Sequence, residues 1–291
     1  YSDFLVASTA EVREPPSRRA GTADALARLQ TLVGLANVKR DVRELVGLIR
    51  IERARRPGQA LPPIALHRLY AGPIGCGKRT VARHVGSLLY ELGLLARGHL
   101  IEVSRADLVA GYIGQTSIKT RARVEEAMGG ILFLQNAAAL WQSKNAFEGE
   151  GVDALLDAAE TYRDRMVVVL ADTPAALTFV VQGDPRVATI FGAPLVFDTA
   201  SVDDLLEIAS RLVQLRGLRL TGAASERLRT QLEAARSGRD AVVTGRDVGL
   251  ALEQAYRVHA LRLEQLGEPA NLDAELLHVL EADDFSSPAG V

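Results

Sequence analysis

Gly72-Pro73-Ile74-Gly75-Cys76-Gly77-Lys78-Arg79-Thr80 is the stretch that decides the fold of this chain. Its glycines and lysine follow the spacing G-x-x-x-x-G-K, and the flanks suit that pattern. Leu66 to Ala71 reads as a short apolar strand, and Thr80 to Leu95 repeats apolar residues at helical spacing. A strand, a glycine-rich turn and a helix in that order make a phosphate-binding loop. Glycines let backbone N–H groups turn inward around phosphates, and the helix adds its positive dipole end. Gly72, Pro73, Gly75, Cys76, Gly77, Lys78, Arg79 and Thr80 are therefore candidate nucleotide-binding residues.

The residue after the lysine is Arg79, where a magnesium-ligating hydroxyl is needed. A guanidinium offers only donors and stays protonated, so it cannot hold a metal. Thr80 comes one residue late, and a helical step of about 100° turns its hydroxyl away. Two roles are open to Arg79: pairing with a phosphate oxygen in place of magnesium, or lying in solvent as an ordinary surface cation. A second break follows the apolar run Ile131-Leu132-Phe133-Leu134, where Gln135 and Asn136 stand at the strand end. A hydrolase needs an aspartate there for the metal and a glutamate to activate water. Neutral amides cannot take a proton at pH 7 and are weak ligands for a hard cation. With metal and base both missing, hydrolysis is the activity the chain is expected to have lost.

Outward from the loop, strand candidates Leu66–Ala71, Leu100–Val103, Ile131–Leu134, Met166–Ala171 and Leu195–Phe197 alternate with helices. That alternation predicts an α/β fold with a parallel sheet flanked by helices and ligands at the strand C-termini. From Asp203 the pattern turns wholly helical, punctuated by Gly217, Gly222, Gly238 and Gly245. Residues 1–22 read as a linker or mobile arm, 23–200 as a nucleotide-binding α/β domain, 201–266 as a helical lid and 267–291 as a tail with one short helical patch. Residues 23–56 look helical.

Several segments in order carry a family resemblance: Leu32-Val33-Gly34-Leu35-Ala36-Asn37-Val38-Lys39, Tyr70-Ala71-Gly72-Pro73, Arg105-Ala106-Asp107-Leu108-Val109, Tyr112-Ile113-Gly114-Gln115-Thr116, Lys119-Thr120 and Met128 to Leu134. From Leu32 to about Leu263 the chain resembles an AAA+ module of the P-loop NTPase fold, in the group containing the red-type Rubisco activase CbbX, SpoVK and the type VII secretion ATPase EccA. The resemblance implies an adenine pocket lined by Val33, Gly34 and Leu35, with an ordinary apolar turn between helices as the alternative. It implies a pore loop, Tyr112-Ile113-Gly114, that grips polypeptide; packing against its own domain is equally open. It also implies a hexameric ring, a protein client and ATP or ADP as ligand. The family's arginine finger falls near Ala188-Thr189-Ile190, with Arg186 upstream as either a substitute or a helix cap. Thr173 and Arg246 are the remaining sensor candidates, and Asp172 and Gly249 stand where relatives differ. No catalytic position is intact. Cys76 sits where a lowered thiol pKa would suit a redox switch, or it simply replaces a small threonine.

At 291 residues the chain can bury a real core in two domains, and its net charge of −2 argues against a nucleic-acid footprint. A single cysteine excludes an internal disulfide framework and fits a reducing, cytoplasmic setting. Nothing approaches the apolar run of about 18 residues that spans a membrane. The chain starts at Tyr1, so a trimmed start or a longer parent is expected. Three readings follow. One is a nucleotide-retaining pseudo-ATPase in a ring or tandem array with AAA+ partners, copies of itself or an active relative. Another is an active ATPase drawing charge from Asp172 or from Asp153 to Asp157. The third is a nucleotide-free adaptor whose pocket Arg79 fills.

Overall fold

The computed structural model describes residues 22–57, 59, 61–110, 115–142, 146–237, 242–268 and 272–286. They divide into two compact units, one carrying residues 22–73 and 77–198 and one carrying residues 74–76 and 199–286.

The first unit opens with α1 (Thr22–Gln30) and α2 (Ala36–Arg55), then runs β1 (Arg68–Ala71), α3 (Lys78–Glu91), β2 (Leu100–Val103), α4 (Arg105–Leu108), α5 (Gln115–Ala127) and β3 (Ile131–Gln135). After a 3-10 turn at Ala137–Leu140 come α6 (Ala146–Thr161), β4 (Val167–Asp172), α7 (Pro174–Gly183), α8 (Pro185–Phe191) and β5 (Leu195–Val196). The helical stretch expected over 23–56 is two helices joined by a turn. Gly34 and Leu35 both take left-handed backbone angles, φ 63° and 57°, and no α-helix continues through two such residues. Strands start or stop within two residues of expectation: β1 begins at Arg68 rather than Leu66, β4 runs Val167–Asp172, and β5 stops at Val196.

The five strands form one parallel sheet in the order β2-β3-β4-β1-β5. Four consecutive residues of β3 and five of β4 are buried, the pattern of strands covered on both faces. The core beneath them gathers Leu69, Leu132, Leu134, Val168, Leu170 and Leu155. Register aligns the strand ends: Ala71 of β1 lies opposite Asp172 of β4, and Gln135 of β3 opposite Ala171. A buried histidine pins this arrangement. His67 Nε2–H donates to the Ala159 carbonyl at 2.9 Å, and its Nδ1 accepts from the Val168 N–H at 2.9 Å. Burial pushes this imidazole below its usual pKa against the opposing pull of the Ala159 bond, so the neutral ring is the form the fold holds.

The second unit holds α9 (Val202–Leu215), β6 (Arg219–Leu220), α10 (Gly222–Arg236), α11 (Gly245–Leu266), α12 (Ala274–Leu277) and β7 (Val279–Leu280). Ser201 with Asp204 and Thr244 with Asp247 form capping boxes that start α9 and α11. Stripes at helical spacing, Leu205-Ala209-Val213 and Val248-Leu252-Ala255, meet in the core. The wholly helical expectation needs correction, because β6 pairs with β7 in a short parallel ladder. The tail is likewise part of the unit: Leu280 and Phe285 are buried in its core. Asp284, 1% exposed, accepts from Arg262 Nε and Nη2 at 3.0 Å each. Among the described residues, no helix is long and apolar enough to cross a membrane.

Candidate functional site

Gly72 leaves the buried end of β1, and its N–H donates to the Asp172 carbonyl at 2.9 Å, so the loop starts fixed to the tip of β4. Gly75 and Gly77 then take φ of 85° and 95°, a region that penalises any side chain. Such turns aim successive N–H groups to one side, and α3 starts at Lys78. Lys78 Nζ donates to the carbonyls of Gly72 and Pro73 at 2.6 and 2.8 Å, which holds the amine over the loop. Cys76 and Thr80 are half-buried beside it.

The Val33-Gly34-Leu35 turn comes to the same place. A Cβ built on Gly77 would lie 3.7 Å from Leu35 Cδ1, so the left-handed turn packs against the end of the loop. The turn is held from both sides: Lys39 Nζ donates to the Leu32 carbonyl at 2.5 Å, and Asn37 Nδ2 donates to the Val196 carbonyl of β5.

Arg79 is not a solvated surface cation. Its Nη1 donates to Glu102 Oε2 of β2 at 2.6 Å, with the two side chains only 20% and 26% exposed. That bond corrects the expected alternative of an ordinary solvated surface cation. Glu102 went unnoticed in the sequence, although a lone acidic residue in the apolar strand Leu100-Ile101-Glu102-Val103 was the available signal.

At the tip of β3, Gln135 and Asn136 are exposed, and Asn136 takes φ 50°. Asparagine tolerates the left-handed region better than most residues, which supplies a backbone reason for an amide here. Asp172, a charge source in the hydrolytic reading, has both oxygens engaged: Oδ2 accepts from Ala138 N at 3.0 Å and Oδ1 from Thr173 N at 2.7 Å. Its carboxylate thus caps the 3-10 turn that follows β3. Thr173 Oγ1 accepts from Ala176 N at 3.3 Å as the N-cap of α7.

Other expected residues lie elsewhere. Ala188, Thr189 and Ile190 fall inside α8. Arg186 donates through Nη2 to Asp153 Oδ1 and Asp184 Oδ2, both at 2.8 Å, and its guanidinium holds Asp184 below the usual carboxylate range. Asp153 is thereby engaged as well. Tyr112, Ile113 and Gly114 lie outside the described residues. The segments on either side are stapled: Ala110 N donates to Thr116 Oγ1 at 3.0 Å, and Lys119 Nζ to the carbonyls of Ala106 and Val109 at 2.6 and 3.1 Å. Arg246 belongs to the second unit, exposed on the first turn of α11.

Residues 68–182 match the family model described as the ATPase family associated with various cellular activities, AAA, and residues 201–290 match the AAA lid domain. A relative covered over most of its length agrees: Stage V sporulation protein K of Bacillus subtilis is 33% identical over 239 residues, 81% of this chain and 74% of that protein. The chain belongs to the AAA family. Protein CbbX of Cereibacter sphaeroides is 33% identical over 257 residues, covering 87% of this AAA chain and 82% of CbbX. The ESX-1 secretion system protein EccA1 of Mycobacterium tuberculosis is 31% identical across 91% of this chain, which spans only 48% of EccA1's length. Among solved structures, the AAA domain of FIGL-1 superposes with a TM-score of 0.58 at 17% identity, covering 95% of this chain and 90% of that one. A point mutant of Thermotoga maritima RuvB gives 0.56 at 20% identity over 88% of this chain and 69% of that one. At those identities the likeness speaks for the AAA fold alone.

AAA membership implies an adenine nucleotide, and the glycines at positive φ, the lysine over the loop and the packed Val33–Leu35 turn fit one. The side chains at the positions expected to serve magnesium are not metal ligands of the usual kind. Position 79 carries a guanidinium bonded to Glu102, Gln135 and Asn136 are neutral amides, and among the described residues no three His, Cys, Asp or Glu side chains converge to hold a metal.

Proposed function

We propose that this AAA chain binds or retains ATP or ADP on the loop 72–80, hydrolyses it weakly or not at all, and serves as a structural or regulatory part of a protein-remodelling assembly. Val33, Gly34 and Leu35 receive the adenine, and the loop N–H groups with Lys78 hold the phosphates. The observation that carries this reading is the pairing of a well-formed cradle with a guanidinium, bonded to Glu102, at the position where a metal's hydroxyl ligand would stand. Asp172 and Asp153, two of the carboxylates the hydrolytic reading would draw on, hydrogen-bond to Ala138 N and to Arg186.

The partners in this reading are AAA+ subunits, either copies of the chain or a competent relative, arranged in a ring or tandem array around a protein client. With Arg186 held by two carboxylates, a competent neighbour supplies what a ring of identical copies would lack at each interface. The loop Tyr112-Ile113-Gly114 contacts the client. Calorimetric titration with ATP and ADP tests the nucleotide half: saturable binding that Lys78→Ala abolishes is expected. Identical isotherms for both proteins would remove the loop 72–80 as the binding site.

A further inference from the structure

Glu102 is the acidic residue of an otherwise apolar edge strand, and register places it beside Phe133, two positions short of Gln135. Its Oε2 accepts from Arg79 Nη1 at 2.6 Å, the length of a charge-assisted bond. Arg79 stands on the first turn of α3, immediately after Lys78, so its long side chain leaves the phosphate loop to reach β2. A guanidinium keeps its charge at any ordinary pH, and carboxylate and phosphate suit its planar fork equally well. Glu102 and a bound phosphate are therefore competitors for one cation.

We infer that Glu102 sets the nucleotide affinity of the loop by drawing Arg79 away from the phosphates and partly cancelling its charge. This rests on the reading that the loop holds ATP or ADP. Nucleotide binding trades the Glu102 bond for one to a phosphate oxygen, with no metal in the exchange. Glu102→Gln weakens the hold on Arg79 at nearly constant shape, and removes a negative charge from the neighbourhood of a polyanion.

The test is a double-mutant cycle on the full chain, with ATP affinity measured in EDTA for wild type, Glu102→Gln, Arg79→Thr and the double variant, and with Lys78→Ala as control. Glu102→Gln is expected to tighten ATP binding about fivefold, the size of one partly exposed charge pair. In the Arg79→Thr background the same change is expected to act less than about twofold, because the cation being contested is gone. Raising the salt concentration shrinks the first effect. Glu102→Ala removes the same charge and keeps the test open should the glutamine variant misfold, with Trp141 fluorescence reporting the fold. Weaker or unchanged binding in Glu102→Gln, with binding still abolished by Lys78→Ala, overturns the role of Glu102 and leaves the nucleotide reading standing. Binding that survives Lys78→Ala overturns both.

Discussion

Replacing His67 by leucine attacks the sheet at the start of β1, the end of the strand away from the phosphate loop. The imidazole is 4% exposed and uses both nitrogens, donating to the Ala159 carbonyl and accepting from the Val168 N–H. Leucine fills much of the volume and leaves both backbone groups without that partner, at about 1–3 kcal/mol each. Ala159 lies in the last turn of α6, where its carbonyl has access to other donors, so the sum is discounted to about 2–4 kcal/mol. For a unit of this size that lowers the melting midpoint by about 5–15 °C. The pH dependence adds a sharper signature. A histidine with a lowered folded pKa binds more protons unfolded than folded, so its stabilisation is full above its unfolded pKa of about 6.5 and is lost as pH falls below it. The gap between wild type and His67→Leu is therefore expected to narrow from pH 7.5 to pH 5.5. His84, whose pKa burial also lowers, contributes equally to both proteins and cancels. Urea titration followed by Trp141 is the assay, because the chain's one tryptophan packs against the core of the first unit. A gap below about 0.5 kcal/mol, or one that stays constant with pH, would refute the argument.

Two further variants test other parts. Restoring Arg79→Thr, Gln135→Asp and Asn136→Glu together is expected to raise phosphate release at least about tenfold, while glutamate at the left-handed position 136 costs about 1 kcal/mol of stability in urea; an unchanged rate would contradict the assignment of these three positions as the missing machinery. Arg262→Ala strands the buried Asp284 carboxylate and is expected to destabilise the second unit by about 3–5 kcal/mol. Far-UV circular dichroism during urea titration reads that loss; a loss below about 1 kcal/mol would contradict it.

The sheet was legible because apolar runs alternating with helical periodicity have few solutions, and because G-x-x-x-x-G-K names the turn between β1 and α3. What escaped depends on distance in sequence or on single backbone angles. Helical periodicity on both sides of Thr31–Leu35 masked a break that only the angles of Gly34 and Leu35 create. The β6–β7 ladder joins residues some sixty positions apart in strands of two residues each, too short to show a period. Glu102 was invisible as a partner because nothing in a sequence of Leu100-Ile101-Glu102-Val103 says which cation the acid will face. Asn136 illustrates the opposite case. Chemistry alone marks it as a lost base, whereas its φ gives the amide a conformational reason to be there.

Phosphate release from ATP in the presence of magnesium, measured on protein already shown to bind ATP, tests the central claim most directly. The account predicts release no faster than that of Lys78→Ala while nucleotide stays bound. Sustained magnesium-dependent release well above that control would contradict it, and would make Arg79, Gln135 and Asn136 parts of a working site.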